Sequence, residues 1–368
     1  MNAIRRMNGY RATTLLALAA TLGAPAAHAQ QVLAIDTVAG RIIIDDQWRA
    51  METIQDLVLD RNRAIIYVND AEEPEGVMAF SLETGEWLRT IRTPTGDGPF
   101  ELSRGKRSMA LAGDGGLYVS GYVRVLEFDS LGAPVSNWSP RAEVPTGVCE
   151  LDGQPAIPVQ GGVVRRGSDG EDEVIGPRER EQAAAATSGR RFTARIVCGR
   201  DRAYVVSSNT EGPDSVFAYR RTGEMVRLAV PDEVAEGLEG CTVATTVGPG
   251  VPVELPCINV TRQLKPSLDS QGNLVLLGRN AVLPGAIIDP ETGCYAVVRK
   301  QAPSFAYDAL LVHQDSALVF WYDKGTTVQG NRTTFTTYSA ANRVSLHPLR
   351  RVSGEPCPGM LPSVEDVG

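Results

Sequence analysis

Histidine is almost missing from this sequence. Three occur in 368 residues, and one, His28, lies in an N-terminal stretch with the character of a leader. The other two, His313 and His347, fall in a short turn and on an outer strand just before Pro348. A multi-histidine zinc site needs several convergent imidazoles, and a Ser-His-Asp constellation needs one in a fixed geometry, so both chemistries are disfavoured. No C-x-x-C pair exists, which disfavours a thiolate zinc site as well. No D-x-D-x-D-G calcium loop occurs. The Gly248–Val253 run is glycine-rich, but its prolines forbid the helix that a phosphate cradle must open. The apolar run Thr14 to Leu22 is too short to span a bilayer.

What is present begins with that leader. Arg5, Arg6 and Arg11 precede the apolar run, and Ala27-His28-Ala29 is a small-x-small cleavage signal. Residues 1–29 are therefore expected to be a signal peptide, with mature protein starting at Gln30 and residing in the periplasm or outside the cell. Removing the three leader arginines takes the formal net charge from −8 to −11. That balance argues against nucleic acid or an anionic membrane as partner. All six cysteines lie after the leader, and an even count in an exported chain favours disulfides. Cys241–Cys257 would staple one insertion. Cys149–Cys198 and Cys294–Cys357 follow by elimination, although equivalent strands of neighbouring repeats are expected to stand far apart for a bridge.

Leu111 to Trp138 organises the rest. Met109, Leu111, Leu117 and Val119 alternate with small or polar residues, as half-buried strands do. Gly113-Asp-Gly-Gly116 between them supplies the positive φ of a tight hairpin. A third strand runs from Val123 to Phe128, with Val123, Val125 and Phe128 assigned to a core, and Pro134–Trp138 returns as an outer strand. The first turn recurs at Asp60–Arg63, Leu151–Gln154, Gly199–Arg202, Asp269–Gly272 and His313–Ser316. The second recurs at Glu83–Gly85, Ser168–Gly170, Arg221–Gly223, Glu291–Gly293 and Ala340–Asn342. Six units at roughly 40–50 residues each predict an all-β chain forming a single six-bladed β-propeller with four-stranded antiparallel blades. The blades are read at 51–93, 107–140, 146–177, 191–231, 262–300 and 304–351. The propeller as a whole is read as 30–351, with 352–368 an irregular tail. Val32–Asp46 either closes the ring through the last blade or adds a rim strand. Glu179–Thr187 has helical composition, and Cys241–Pro256 reads as a long ordered loop.

Gly96-Asp-Gly-Pro-Phe-Glu-Leu102, followed by Met109–Val119 and Arg124–Gly132, resembles a repeat of the NHL type and the wider group of six-bladed propellers of bacterial secreted proteins. The related folds serve as binding modules and as enzymes, so the resemblance implies a fold and leaves the function open. Propeller lyases of similar fold use histidine metal ligands that this chain does not offer.

Loop lengths carry the functional expectation. The first and third connections of each blade are short turns. The long ones are second connections and crossovers, which emerge together on one face of the disc, and function concentrates on such loops. The predicted contacts there are Glu72, Glu73, Asp97, Glu101, Arg104, Arg107, Glu211, Asp214, Arg279, Asn280, Asp323, Lys324 and Arg332. The leading expectation is a monomeric, non-catalytic module for a protein, peptide, saccharide or small-molecule ligand, without a cofactor. The alternative is a calcium-assisted hydrolase or lactonase with a carboxylate metal site at the central channel mouth, drawing on loops such as Asn69–Glu75. A third reading is a structural envelope protein. Asn137, Asn259 and Asn331 match glycosylation acceptors by chance, and Tyr67, Tyr118 and Tyr204, in one register, are expected to pack between blades.

Overall fold

The computed structural model describes residues 30–45, 51, 54–70, 73–103, 105–141, 145–159, 161–176, 193–208, 215–228, 230–231, 234, 242–246, 252–256, 264–278, 284–300, 307–322, 327–330, 333–336 and 341–361. The leader, the 179–187 segment, Cys241 and Cys257 lie outside them. Two strands come first, β1 (Gln30–Ile35) and β2 (Arg41–Ile44). Four separate antiparallel sheets of four strands follow in chain order. The first holds β3 (Ile54–Asp60), β4 (Ile65–Asp70), β5 (Gly76–Ser81) and β6 (Trp87–Arg92). The second holds β7 (Ser108–Leu111), β8 (Leu117–Ser120), β9 (Val125–Phe128) and β10 (Pro134–Trp138). The third holds β11 (Cys149–Leu151), β12 (Gln154–Val159), β13 (Gly162–Arg166) and β14 (Asp172–Ile175). The fourth holds β15 (Thr193–Cys198), β16 (Arg202–Ser208), β17 (Ser215–Arg220) and β18 (Met225–Leu228).

After a two-stranded hairpin of β19 (Thr242–Thr246) and β20 (Pro252–Pro256) come β21 (Leu264–Leu268), β22 (Leu274–Gly278), β23 (Gly285–Ile288) and β24 (Tyr295–Lys300). The chain continues as β25 (Tyr307–His313), β26 (Ser316–Tyr322), a second hairpin of β27 (Thr327–Gly330) and β28 (Thr333–Thr336), and the long β29 (Ala341–Gly354). The two hairpins stand as separate two-stranded sheets, and the other strands join β1 and β2 in one nine-stranded sheet in the order β21-β22-β23-β24-β1-β29-β26-β25, with β2 also on β29. Strands β3, β7, β11, β15, β21 and β25 touch successively, which is the radial arrangement of a β-propeller. Among the described residues the elements are all strands, and Val234 alone is helical.

Asp side chains set the turns. Asp60 Oδ1 accepts the amides of Asn62 and Arg63, both at 3.1 Å, and Asp129 Oδ1 those of Leu131 and Ala133 at 2.9 and 2.8 Å. Asp269 repeats this with Gln271 and Asn273. An aspartate that satisfies the amide two residues on mimics a backbone turn, which is why these residues punctuate the repeat. Apolar seams lie between adjacent sheets. Tyr67 and Val77 meet Leu126 and Phe128, Trp138 meets Val148 and Ile157, and Ala156 meets Ala203 and Val205. Tyr204 and Val216 meet Leu276 and Ile288. Leu33, Val298 and Val319 share a cluster inside the nine-stranded sheet, whose Phe320 and Val344 meet Ile66 and Phe80 of the first sheet.

Several expectations need correction. Val123 does not face a core: it is 48% exposed and precedes β9, which starts only at Val125. The Cys241–Pro256 stretch is not a loop throughout, because the β-branched Thr242, Val243, Thr245 and Thr246 pair as β19 with β20. Its Pro252 and Pro256 sit at the ends of the ladder, where a two-stranded sheet can spare an N–H. The connection after Tyr322 also contains the β27–β28 hairpin. Cys149 and Cys198 do bond, with Cα atoms 5.4 Å apart. Blades splay outward from a common axis, so β11 and β15, both innermost, lie where neighbouring sheets are closest. Cys294–Cys357 is also formed, at 5.9 Å between Cα atoms. Of the two roles open for the N-terminal segment the first holds: β2 pairs with β29 on the side away from β26 and completes the last blade's sheet, while β1 pairs in parallel with β24 and antiparallel with β29, joining both.

Candidate functional site

The strand directions place the start of each innermost strand, the second connections and the crossovers at one end of the disc. Asp56 stands there on β3, its carboxylate only 3% exposed as a residue. Its Oδ2 accepts the Met109 amide of the next sheet at 2.8 Å, and its Oδ1 accepts the Leu57 amide at 2.7 Å. The ammonium of Lys265, from the start of β21, sits on Asp56 Oδ1 and also donates to Leu57 O at 3.2 Å. A carboxylate at this depth would carry a large desolvation cost alone, and the lysine from a distant repeat neutralises it. At the opposite end Arg61 donates to Leu268 O at 2.8 Å and Val312 O at 3.0 Å, so β3 and β21 are tied at both ends of the channel and β25 joins them at this one. Burial, set against the Asp269 carboxylate, lowers the Arg61 pKa.

The crossover between β6 and β7 covers the same end beside Asp56. It is pinned rather than loose. Leu102 is fully buried, Glu101 Oε2 accepts the Gly98 amide at 2.8 Å, and Arg124 donates to Gly98 O. Lys106 donates to Glu73 O at 2.5 Å and Gly76 O at 2.8 Å, clamping the β4–β5 connection to the crossover. Burial lowers its pKa, opposed by the carboxylates of Glu73 and Asp70. Arg107 lies over the Tyr122 ring, 3.5 Å from its centroid, which orders its guanidinium by cation–π attraction. Nearby, Asn69 is fully buried with both amide atoms unpaired, and the buried Thr93 Oγ1 is also unpaired.

Of the predicted contacts, Glu73, Asp97, Glu101 and Arg107 lie among the described residues, and they do gather around this crossover. Asp97 is exposed, Glu101 and Arg107 are partly exposed, and Glu73 is buried with Oε1 accepting the Glu75 amide at 2.9 Å. Glu72, Arg104, Glu211, Asp214, Arg279, Asn280, Asp323, Lys324 and Arg332 lie outside the described residues. Sequence reasoning missed Asp56, Lys265, Lys106 and Arg124. A lone lysine at the second position of an innermost strand, where the other units carry Gln55, Met109, Glu150, Ala194 and Asp308, was the available signal for Lys265.

Neither histidine enters this end. His313 turns β25 into β26 at the opposite end, its Nδ1 buried and unpaired, and burial with the Arg61 cation lowers its pKa. His347 does contact a serine, Ser345 Oγ at 2.8 Å, but the pair is buried and its third member is the Asp36 carbonyl, at 3.0 Å from Nδ1. A carbonyl cannot stabilise an imidazolium as a carboxylate does, and no substrate reaches Ser345. Among the described residues no group of three or more His, Cys, Asp and Glu side chains is disposed to hold a metal ion. None of their helices is long and apolar enough to cross a membrane.

No family model matches the chain, and no curated protein does. Solved structures do. U3-55K superimposes with a TM-score of 0.50 at 12% identity, covering 85% of this chain and 99% of that one. A candidate gluconolactonase gives 0.47 at 12% identity over 88% and 96%, and a candidate exported protein of Bacteroides fragilis 0.47 at 9% over 88% and 96%. At such identity a likeness concerns architecture alone, and with the geometry above it assigns the chain a β-propeller fold.

Proposed function

We propose that this chain is an exported six-bladed propeller that binds a protein, peptide, saccharide or small solute, without catalysis, on the face of its long connections. The blade count is supported by six apolar seams, one between each pair of successive innermost repeats and one returning to the first. The nine-stranded sheet is then two blades fused at their outer edges by β1. Export is supported by the leader and by two disulfides, which persist in oxidising compartments. The observation that carries the binding reading is the pinned β6–β7 crossover. It is a long connection held by Leu102, Glu101, Arg124 and Lys106, with Asp97 exposed and Arg107 partly exposed over the Tyr122 ring. An ordered loop presents side chains at low entropic cost, which suits recognition.

The calcium-dependent hydrolase reading draws on one observation, the buried and unpaired Asn69 amide beside Asp70 and Glu73. Against it, the carboxylate deepest at the channel mouth, Asp56, already has the Lys265 ammonium in the place a cation would take. Two measurements on mature protein separate the readings. Calorimetric calcium titration is expected to be silent; one-to-one heat lost in Asn69→Ala would favour the hydrolase. Quantitative capture from envelope extract is expected to fall for Asp97→Ala/Arg107→Ala and to persist for Arg200→Ala, in an exposed short turn at the opposite end. Equal capture by all three proteins would sink the binding-face reading.

A further inference from the structure

We propose that His347 is an acid-sensitive latch that holds the N-terminal strands β1 and β2 on the propeller. Both strands pair with β29, and the connection between them, residues 36–40, lies across His347. The fit is close: a Cβ on Gly40 would stand 1.9 Å from the ring's Cε1, so glycine lets the connection press on the imidazole. The ring is 3% exposed.

A chain of hydrogen bonds fixes its protonation. Trp321 Nε1–H donates to Ser345 Oγ at 2.6 Å, Ser345 Oγ lies 2.8 Å from His347 Nε2, and His347 Nδ1 lies 3.0 Å from Asp36 O. A carbonyl only accepts, so Nδ1 carries the proton. Nε2 then accepts from the Ser345 hydroxyl, which in turn accepts from Trp321. Every group is satisfied with a neutral imidazole of that tautomer. Protonating Nε2 would aim two N–H donors at one hydroxyl that is 1% exposed, and would leave the hydroxyl proton without its acceptor.

Charges around the ring agree. From β29, Arg343 reaches over Trp321, its Cζ 4.6 Å from the ring centroid, and opposes a second cation. From the 36–40 connection, the Asp36 carboxylate favours one, but it is committed to the amides of Val38 and Ala39, each at 3.0 Å, and to Arg350 Nε at 3.6 Å. On β2, Arg41 is turned away onto Glu83 O at 3.0 Å. Strands β26 and β1 bring no charged side chain. Burial foremost, with Arg343, lowers the His347 pKa from 6.5, against the pull of Asp36. The sign follows. The unfolded latch binds a proton more readily than the folded one, so the latch is secure at neutral pH and loosens as pH falls below the ordinary histidine value.

Hydrogen exchange on the full mature protein at pH 7.5 and 5.5, corrected for intrinsic rates, tests this. Amides of residues 31–44 are expected to gain at least about threefold in opening relative to β8 and β12, whereas His347→Gln, neutral at both pH values, should remove that gain and His313→Gln should keep it. An NMR titration of wild-type imidazoles, which needs no variant, should place His347 below its free value. A pH response equal in wild type and His347→Gln, or a His347 that titrates at or above 6.5, would overturn the latch.

Discussion

A lysine ammonium and an aspartate buried together at the channel mouth make opposite contributions depending on what is removed. Lys265→Met leaves the Asp56 carboxylate with two backbone amides and no countercharge, at a residue 3% exposed. The expected loss is about 3–5 kcal/mol, seen as a lower denaturation midpoint at unchanged slope in urea. The exposed pair Arg141–Glu171, at 3.0 Å, is the control, and Arg141→Ala should cost less than about 1 kcal/mol. Buried tyrosines give a second test at this scale. Burial raises the pKa of Tyr118, Tyr204 and Tyr219, the last to about 12, and the carboxylates around Tyr118 push in the same direction. Their unfolded phenols ionise near pH ~10. A raised pKa contributes stability that is intact below the unfolded value and lost as pH climbs through the folded one. Part of the phenolate absorbance should therefore appear together with the loss of circular dichroism in alkali, not before it; separate, earlier ionisation of all ten tyrosines would contradict their burial.

Among elements, the turns were the legible part. Asp60, Asp129 and Asp269 could be picked out because an Asx turn needs only that residue and its next few amides. Asp152-Gly153 likewise adopts positive φ at both positions, 53° and 72°, as a two-residue hairpin demands. Asp269→Ala would delete three acceptor contacts, to Gln271 N, Asn273 N and Asn273 Nδ2. It should lose about 2–3 kcal/mol, with Asp269→Asn intermediate because it keeps one acceptor oxygen. Pairings between distant segments were not legible. The Cys149–Cys198 pairing, across 49 residues, came by elimination alone and against the distance expected between blades, and nothing local told that β1 lies between β24 and β29. The β19–β20 hairpin hid behind its prolines. Replacing both Cys149 and Cys198 by alanine should cost about 2–4 kcal/mol through the freed loop, and the variant should lose less stability on reduction than wild type does, since Cys294–Cys357 remains to be reduced in both. At the candidate site, long loops were legible from their length, but the buried groups that pin them lie in strands whose pattern reads as ordinary core.

For the whole molecule the question is how the ring stays shut. The first four sheets share no backbone ladder; apolar seams, a few polar contacts such as Asp56 to the Met109 amide and the Cys149–Cys198 bond join them, and each leaves an outer strand with exposed residues, such as Leu88 on β6, Val135 on β10 and Val226 on β18. The remaining strands are different. There β1 inserts Leu33 and Ile35, both fully buried, into the cluster shared with Val298, Val319 and Leu349, and hydrogen-bonds on both sides. A chain beginning at Asp36 would lose that strand. It would uncover the edges of β24 and β29 at once, together with the apolar side chains behind them. Unpaired edges backed by hydrophobic surface are templates for association. The shortened protein should therefore form oligomers whose population rises with concentration in sedimentation velocity, and adding a peptide of sequence QQVLAI should suppress them by filling the groove. Blades remote from the gap, β7 to β18, should keep their exchange protection, since each seam there is complete without β1. If the shortened chain stayed monomeric with all six seams equally protected, ring closure would rest on the channel ties of Arg61 and Lys265 instead of on β1.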